Sequence, residues 1–189
     1  MSRWQPDARG RLEQAALELF RDRGFAETTV PEIAARAGLT PRTFFRHFAD
    51  KREVLFARQS EVPALARRMI AEAPASHSPM RIIAENLDAV AAAQFPDGVE
   101  AVLARKVVID GDEGLREREL HKMSALGDAL REGFAERGVD PLTAALTAQV
   151  TMTVFGVAIG RWLAGGDDDA LPGLLHDTLE SLRGLLADG

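Results

Sequence analysis

The chain has no cysteine and no tyrosine among its 189 residues. Without cysteine there is neither a disulfide framework nor a thiolate metal site, and a reducing cytoplasm is the expected compartment. The opening residues, MSRWQPDARG, are polar, so no secretory leader is expected in them. Aromatic residues make up only 6% of the chain, which leaves Leu, Ala, Ile and Val to fill the core. Enzyme signatures are missing as well. No HExxH, GxSxG, Walker loop or dinucleotide-type glycine fingerprint occurs. None of the four histidines (His47, His77, His121 and His176) follows a glutamate by three residues, which removes the helical-bundle di-iron pattern. Glu117 and His121 share a face at i, i+4, where a metal pair and a solvated pair are both open readings. No cofactor is expected.

Positive charge is also short overall, with a net charge of −6. That balance argues against a nucleic-acid binder until the chain is divided. Residues 1–58 hold 11 Lys+Arg against 8 Asp+Glu, a balance of +3, and residues 59–189 hold 12 against 21, a balance of −9. A basic head on an acidic body is the asymmetry expected when one domain meets phosphates and the other is repelled by them.

The head carries its information between Thr29 and Lys51, in TVPEIAARAGLTPRTFFRHFADK. Thr29 and Glu32 form a capping box, and Pro31 sits in the first turn of the helix they open. Ile33, Ala34 and Ala37 give that helix one apolar face, and Gly38 ends it in the left-handed conformation. Leu39 plugs the turn. Thr40 caps a second helix whose first residue is Pro41. Phe44 and Phe48, four apart, anchor this second helix from beneath. Its opposite face presents Arg42, Thr43 and Arg46, donors that base edges and phosphates accept. The pattern predicts a helix-turn-helix. An ordinary helical hairpin with a solvated basic face is the plainer alternative.

The segment TTVPEIAARAGLTPRTFFRHFADKREVL, together with LEQAALELFRDRGF before it, resembles the DNA-binding domain of the TetR family of bacterial transcriptional repressors. The resemblance covers about the first third of the chain. It implies an all-α homodimer, with a three-helix DNA-binding head and a divergent C-terminal helical bundle that binds a small effector and dimerises. It also implies that Lys51, at a helix N-terminus, contacts a DNA phosphate; a solvent-exposed lysine is the alternative. One position departs from the family, which usually has tyrosine where this chain has Phe45 and uses its hydroxyl on a phosphate. Phe45 has no hydroxyl to offer.

The rest of the chain reads as further helices. The first runs from about Asp7 to Arg23, with Leu12, Ala15, Ala16, Leu19 and Phe20 on one stripe, and Gly24 ends it. Arg3, Arg9 and Arg11 near its start are candidate phosphate contacts or a solvated terminus. Asp50 and Glu53 form a second capping box that starts another helix at Lys51; it passes through Val54, Leu55 and Ala57, and Pro63 breaks or kinks it between Ser60 and Val62. Helices follow from Ser78, from Val99 to Ile109 and from Glu113 to Arg137. The next opens at Asp140-Pro141 and is uncharged from Leu142 to Gly160. That run is long enough for a membrane span, but Gln149, four threonines and the missing basic flank favour a buried bundle helix. No membrane association is expected. The last helix carries Leu171, Leu174, Leu175, Leu179, Leu182, Leu185 and Leu186.

These observations lead to a two-domain regulator. The head, residues 7–57, is expected to bind a near-palindromic double-stranded DNA operator, with Arg42 and Thr43 reading bases. Thr29, Arg46, His47 and Lys51 position the backbone, and Thr40 sits at the start of the reading helix. The body, residues 62–189, is expected to hold a small, largely apolar effector, with Phe95, Met123 and Phe134 as candidate lining residues; ordinary core is the alternative for each. The last two helices are expected to pair with their copies in a four-helix homodimer interface that includes Leu175, Leu179 and Leu182, because the leucine stripe beside the uncharged helix is more apolar surface than a small monomer hides. A helical-bundle enzyme, or an interaction module without DNA binding, remains the alternative function.

Overall fold

Ten helices follow one another in the computed structural model, which describes residues 7–167 and 170–187. They are α1 (Ala8–Arg23), α2 (Val30–Arg36), α3 (Pro41–His47), α4 (Glu53–Phe56), α5 (Val62–Glu72), α6 (Pro79–Gln94), α7 (Gly98–Asp110), α8 (Glu113–Glu136), α9 (Pro141–Gly165) and α10 (Ala170–Ala187). All regular structure among the described residues is α-helical, as the sequence leads one to expect. The helix expected after Lys51 is broken ahead of Pro63, as its proline leads one to expect, into α4 and α5. α4 is a single turn, and α5 starts afresh with Pro63 in its first turn, where a missing N–H leaves no bond unmade.

The chain divides into two compact units. The first contains the residues up to Ala57 and also Ala104–Glu119, the end of α7 and the start of α8. Its core is built on Leu12, Leu19 and Phe20 of α1, Ile33 of α2, Phe44 of α3 and Phe48 just after it. Val54, Leu55 and Phe56 of α4 join this cluster together with Val108, Ile109 and Leu115. A head confined to 7–57 therefore omits part of its own core. Four residues of α4 carrying three buried apolar side chains need a cover, and a segment fifty residues further along the chain contributes to it.

The second unit holds Arg58–Leu103 and Leu120–Gly189. Ile70, Ile82, Leu87, Leu130, Phe134, Val154, Trp162 and Leu175 are its most enclosed large side chains. Arg137, at the turn after α8, donates to the carbonyls of Ile70, at 2.9 Å, and Ala73, at 2.8 Å, and also to that of Pro74. One guanidinium thus satisfies the open carbonyls at the end of α5.

α9 and α10 pack on each other and on α6, and this packing revises two expectations. The uncharged helix is not buried all round. Ala144, Thr147, Ala148, Thr151, Val154, Ala158 and Trp162 face inward, while Leu142, Leu146 and Val157 are exposed. By length and composition alone α9 would cross a membrane, but one face of it completes the bundle. The leucine stripe of α10 also turns inward. Leu171, Leu175 and Leu179 are buried in the protomer's own core, and Leu182 is half-buried against it. Leu175 and Leu179 are therefore not free to form an interface with a second chain; the i, i+4, i+8 face they share is the one α10 presents to α6 and α9.

Leu175→Ala is accordingly expected to act on folding. Removing a fully buried leucine side chain should lower unfolding free energy by about 2–5 kcal/mol, measured as a drop in the urea midpoint at unchanged oligomeric state.

Candidate nucleic-acid interface

Three short helices and two turns position the candidate DNA-reading face. At the start of α2, the Thr29 N–H donates to the Glu32 carboxylate at 2.8 Å and the Thr29 hydroxyl donates to the same oxygen at 2.7 Å. The hydroxyl bond first, and then the backbone bond, hold the Glu32 carboxyl below the usual carboxylate range. Between α2 and α3 the chain reverses at Gly38, whose φ is +67°. Only glycine takes that conformation without strain. It lets the Leu39 N–H return to the Ala34 carbonyl at 2.8 Å. The Thr40 hydroxyl then accepts from the Thr43 N–H at 3.2 Å, capping α3.

α3 is two-sided. Phe44 and Phe48 are buried beneath it with ring centroids 5.3 Å apart. Pro41, Arg42, Phe45, Arg46 and His47 are exposed on the outside, and Thr43 is half-buried. Arg42 has no hydrogen-bond or ion-pair partner among the described residues, so its guanidinium fork is available to a ligand. Arg46 reaches only its neighbour, with Nη2 3.5 Å from the His47 Nε2. Nearby basic residues are occupied: Arg23 pairs with Glu32 at 3.1 Å and Arg36 with Glu18 at 3.0 Å. The structure thus gathers Arg42, Thr43, Arg46 and His47 on one short helix, with Thr40 at its start and Thr29 at the start of α2. The Thr29 hydroxyl proton already goes to Glu32, leaving that oxygen chiefly an acceptor.

Lys51 occupies a different role from the one the sequence suggests. Its ammonium donates to three carbonyls in the loop between α1 and α2: Phe25 at 2.8 Å, Thr28 at 2.9 Å and Ala26 at 3.2 Å. It also stands 4.4 Å from the centroid of the Phe25 ring. An ammonium has three N–H donors, and all three are engaged. Lys51 is a staple for that loop, and a phosphate could claim a proton from it only by breaking a bond inside the head. Arg11 is a staple too, donating to the Ala37 carbonyl at the end of α2. Arg9 pairs with Glu13 at 3.0 Å, and Arg3 lies outside the described residues.

Sequence reading missed Arg118. From the first turns of α8, its Nε donates to the Glu53 carboxylate at 3.0 Å; Nη2 donates to the same oxygen and lies 3.8 Å from Asp50. Asp50 itself accepts from the Arg52 and Glu53 N–H groups at 2.8 and 2.9 Å. Half of the expected Asp50–Glu53 capping box is therefore present, while the Glu53 side chain faces an arginine 65 residues away. Nothing local in the sequence signals a pair at that separation.

The three candidate effector residues differ in their exposure. Phe134 is fully buried in the core of the second unit, as the ordinary-core reading has it. Phe95 is half-buried against Trp162, with ring centroids 5.6 Å apart. Met123 is 45% exposed.

With this geometry established, known proteins give it a context. The profile for bacterial regulatory proteins of the tetR family matches residues 13–57, the span from α1 through α4. Over 188 residues the chain is 31% identical to the HTH-type transcriptional regulator TcmR of Streptomyces glaucescens, covering 93% of this chain and 82% of that protein. Among solved structures it is similar to Thermus thermophilus FadR, a TetR-family transcriptional repressor in complex with lauroyl-CoA. That match has 25% identity and a TM-score of 0.52, and covers 93% of both chains. A transcriptional regulator from Aquifex aeolicus VF5 shares the fold at 18% identity and a TM-score of 0.58, covering 94% of this chain and 99% of that one.

The staple role of Lys51 has a measurable consequence. Lys51→Met keeps the apolar stem and removes the charge, leaving three carbonyls without their donor. It is expected to destabilise the protein without any DNA present, by about 1–3 kcal/mol, in thermal or urea unfolding. Equal stability of the two proteins would place the ammonium in solvent.

Proposed function

The chain belongs to the TetR family of bacterial transcriptional regulators, DNA-binding proteins, and on that premise we propose that it is a homodimeric repressor, released from a near-palindromic operator by a small, largely apolar effector. The observation that carries the DNA-binding part is the outer face of α3. Arg42 stands there with no internal partner, Arg46 and His47 flank it, and Phe44 and Phe48 hold the helix rigidly from below. Arg42 and Thr43 belong to the first turn, which reaches deepest into the major groove. They are the base readers in this proposal. Arg46, His47 and Thr40 position the backbone, while Thr29, its hydroxyl proton and N–H both on Glu32, fixes the start of α2. A cytoplasmic location and the absence of catalysis follow from the same reading.

The second copy docks on the open face of α9. Leu142, Leu146 and Val157 are exposed on a helix without a charged side chain from Leu142 to Gly160, and Gly156 and Gly160 on the same side allow close approach. A two-fold interface needs only one such face, because each copy presents it to the other. Of the two helices expected at the interface, α9 keeps its place in this proposal, while Leu175 and Leu179 of α10 belong to the protomer's own core. Dimerisation sets the two α3 helices on successive turns of DNA and raises affinity through effective concentration.

The effector site belongs to the second unit. FadR from Thermus thermophilus, 25% identical, was crystallised with lauroyl-CoA, a ligand with a long apolar chain. Phe95, half-buried against Trp162 at the margin of this apolar core, is one residue that such a chain could meet. An effector releases DNA only by binding the DNA-incompetent form more tightly. The head's core includes residues from α7 and α8, so displacement of those helices would act directly on α4 and the ion pair between Arg118 and Glu53.

Two measurements test the proposal. Duplexes selected from a random library should bind the wild-type protein in a salt-dependent way. Arg42→Ala should lower affinity for them by about 1–3 kcal/mol while relaxing preference at one position per half-site. Uniform weakening across all sequences would make Arg42 a backbone contact. Leu146→Glu, at a residue exposed in the protomer, should leave the fold intact and halve the sedimenting mass. Operator affinity should fall by about a hundredfold. A Leu146→Glu protein that remains dimeric would place the interface elsewhere.

A further inference from the structure

Two carboxylates stand at the foot of the reading helix. Asp50 lies three residues beyond His47, the last residue of α3, and Glu53 opens α4. Asp50 accepts from the Arg52 and Glu53 N–H groups, which fixes its place at that turn. Negative charge beside a face that meets phosphates opposes their approach. The cations adjacent in sequence are turned elsewhere. The Lys51 ammonium donates to the carbonyls of Phe25, Ala26 and Thr28, and the Arg52 guanidinium lies beside Gly114. Arg118 supplies the offsetting charge instead. Its Nε donates to the Glu53 carboxylate at 3.0 Å, and its Nη2 donates to the same oxygen and lies 3.8 Å from Asp50. One guanidinium thus faces both carboxylates. The Arg118 and Glu53 side chains are only 31% and 17% exposed, so their charges are screened less than those of an open surface pair.

We infer that Arg118 is a positioning residue for operator binding, which neutralises Asp50 and Glu53 so that DNA phosphates can approach the outer face of α3. It touches no DNA and acts through the two carboxylates. This rests on the operator-binding reading and adds to it a residue of α8, a helix that carries none of the candidate DNA contacts. An ion pair that merely braced α4 would depend on its hydrogen bonds. Neutralisation depends on charge, and the two roles predict opposite effects when Glu53 loses its charge.

The test measures the affinity of full-length variants for duplexes that the wild-type protein selects from a random library, with urea unfolding as a record of stability. Arg118→Gln leaves the carboxylates uncompensated. It should weaken binding by about fivefold at low salt, the effect of roughly one unit charge near the interface, and by less at high salt. Adding Glu53→Gln to Arg118→Gln should restore most of that affinity, although the ion pair is still missing. Glu53→Gln alone keeps an acceptor for Arg118 and should bind more tightly than the wild type. If Glu53→Gln binds no more tightly, or if the double variant stays as weak as Arg118→Gln, the pair serves only to brace α4 and the inference fails. Failure to enrich any duplex would instead remove the operator-binding reading itself.

Discussion

α3 is seven residues long, too short to persist as a helix by its own hydrogen bonds. What keeps it formed is the burial of Phe44 and Phe48 against α1 and α2, two aromatic side chains one turn apart with almost no exposed surface. Everything the outer face can do depends on that. Arg42, Arg46 and Phe45 can be directed at a ligand because their helix cannot rotate without exposing both rings. Preorganisation of this kind reduces the ordering that binding would otherwise impose.

Several of the chain's cations serve its own backbone. Lys51 closes the loop after α1, Arg11 the end of α2 and Arg137 the end of α5. Each satisfies carbonyls that helix termini and loops leave open, where cations are also favoured by the helix dipole. The small positive balance of the head is therefore not spread evenly over its surface. Lys51 and Arg11 are held by carbonyls and Arg23 and Arg36 by carboxylates, whereas Arg42 on α3 has no internal partner among the described residues. A head with only +3 overall can still present a focused donor set.

The two units are not two consecutive segments of chain. Residues 104–119 leave the body helices to complete the head's core through Val108, Ile109 and Leu115, and Arg118 adds an ion pair to α4.

The sequence alone determined the local structure of the head. Thr29 with Glu32, Gly38, and Thr40 with Pro41 are signals whose partners lie within four residues, and capping and turn geometry follow from such spacings without reference to the rest of the fold. It also determined which side of α3 is apolar. Only the tertiary structure decided what depends on distant segments. Lys51 reads as a phosphate contact at a helix N-terminus until the carbonyls of Phe25, Ala26 and Thr28 are placed around it. Leu175 and Leu179 read as an interface until α6 and α9 cover them, and Glu53 reads as half a capping box until Arg118 arrives. The reason is the same in each case: a side chain's spacing states which face of its helix it occupies, but only the packing of helices far apart in sequence states what that face meets.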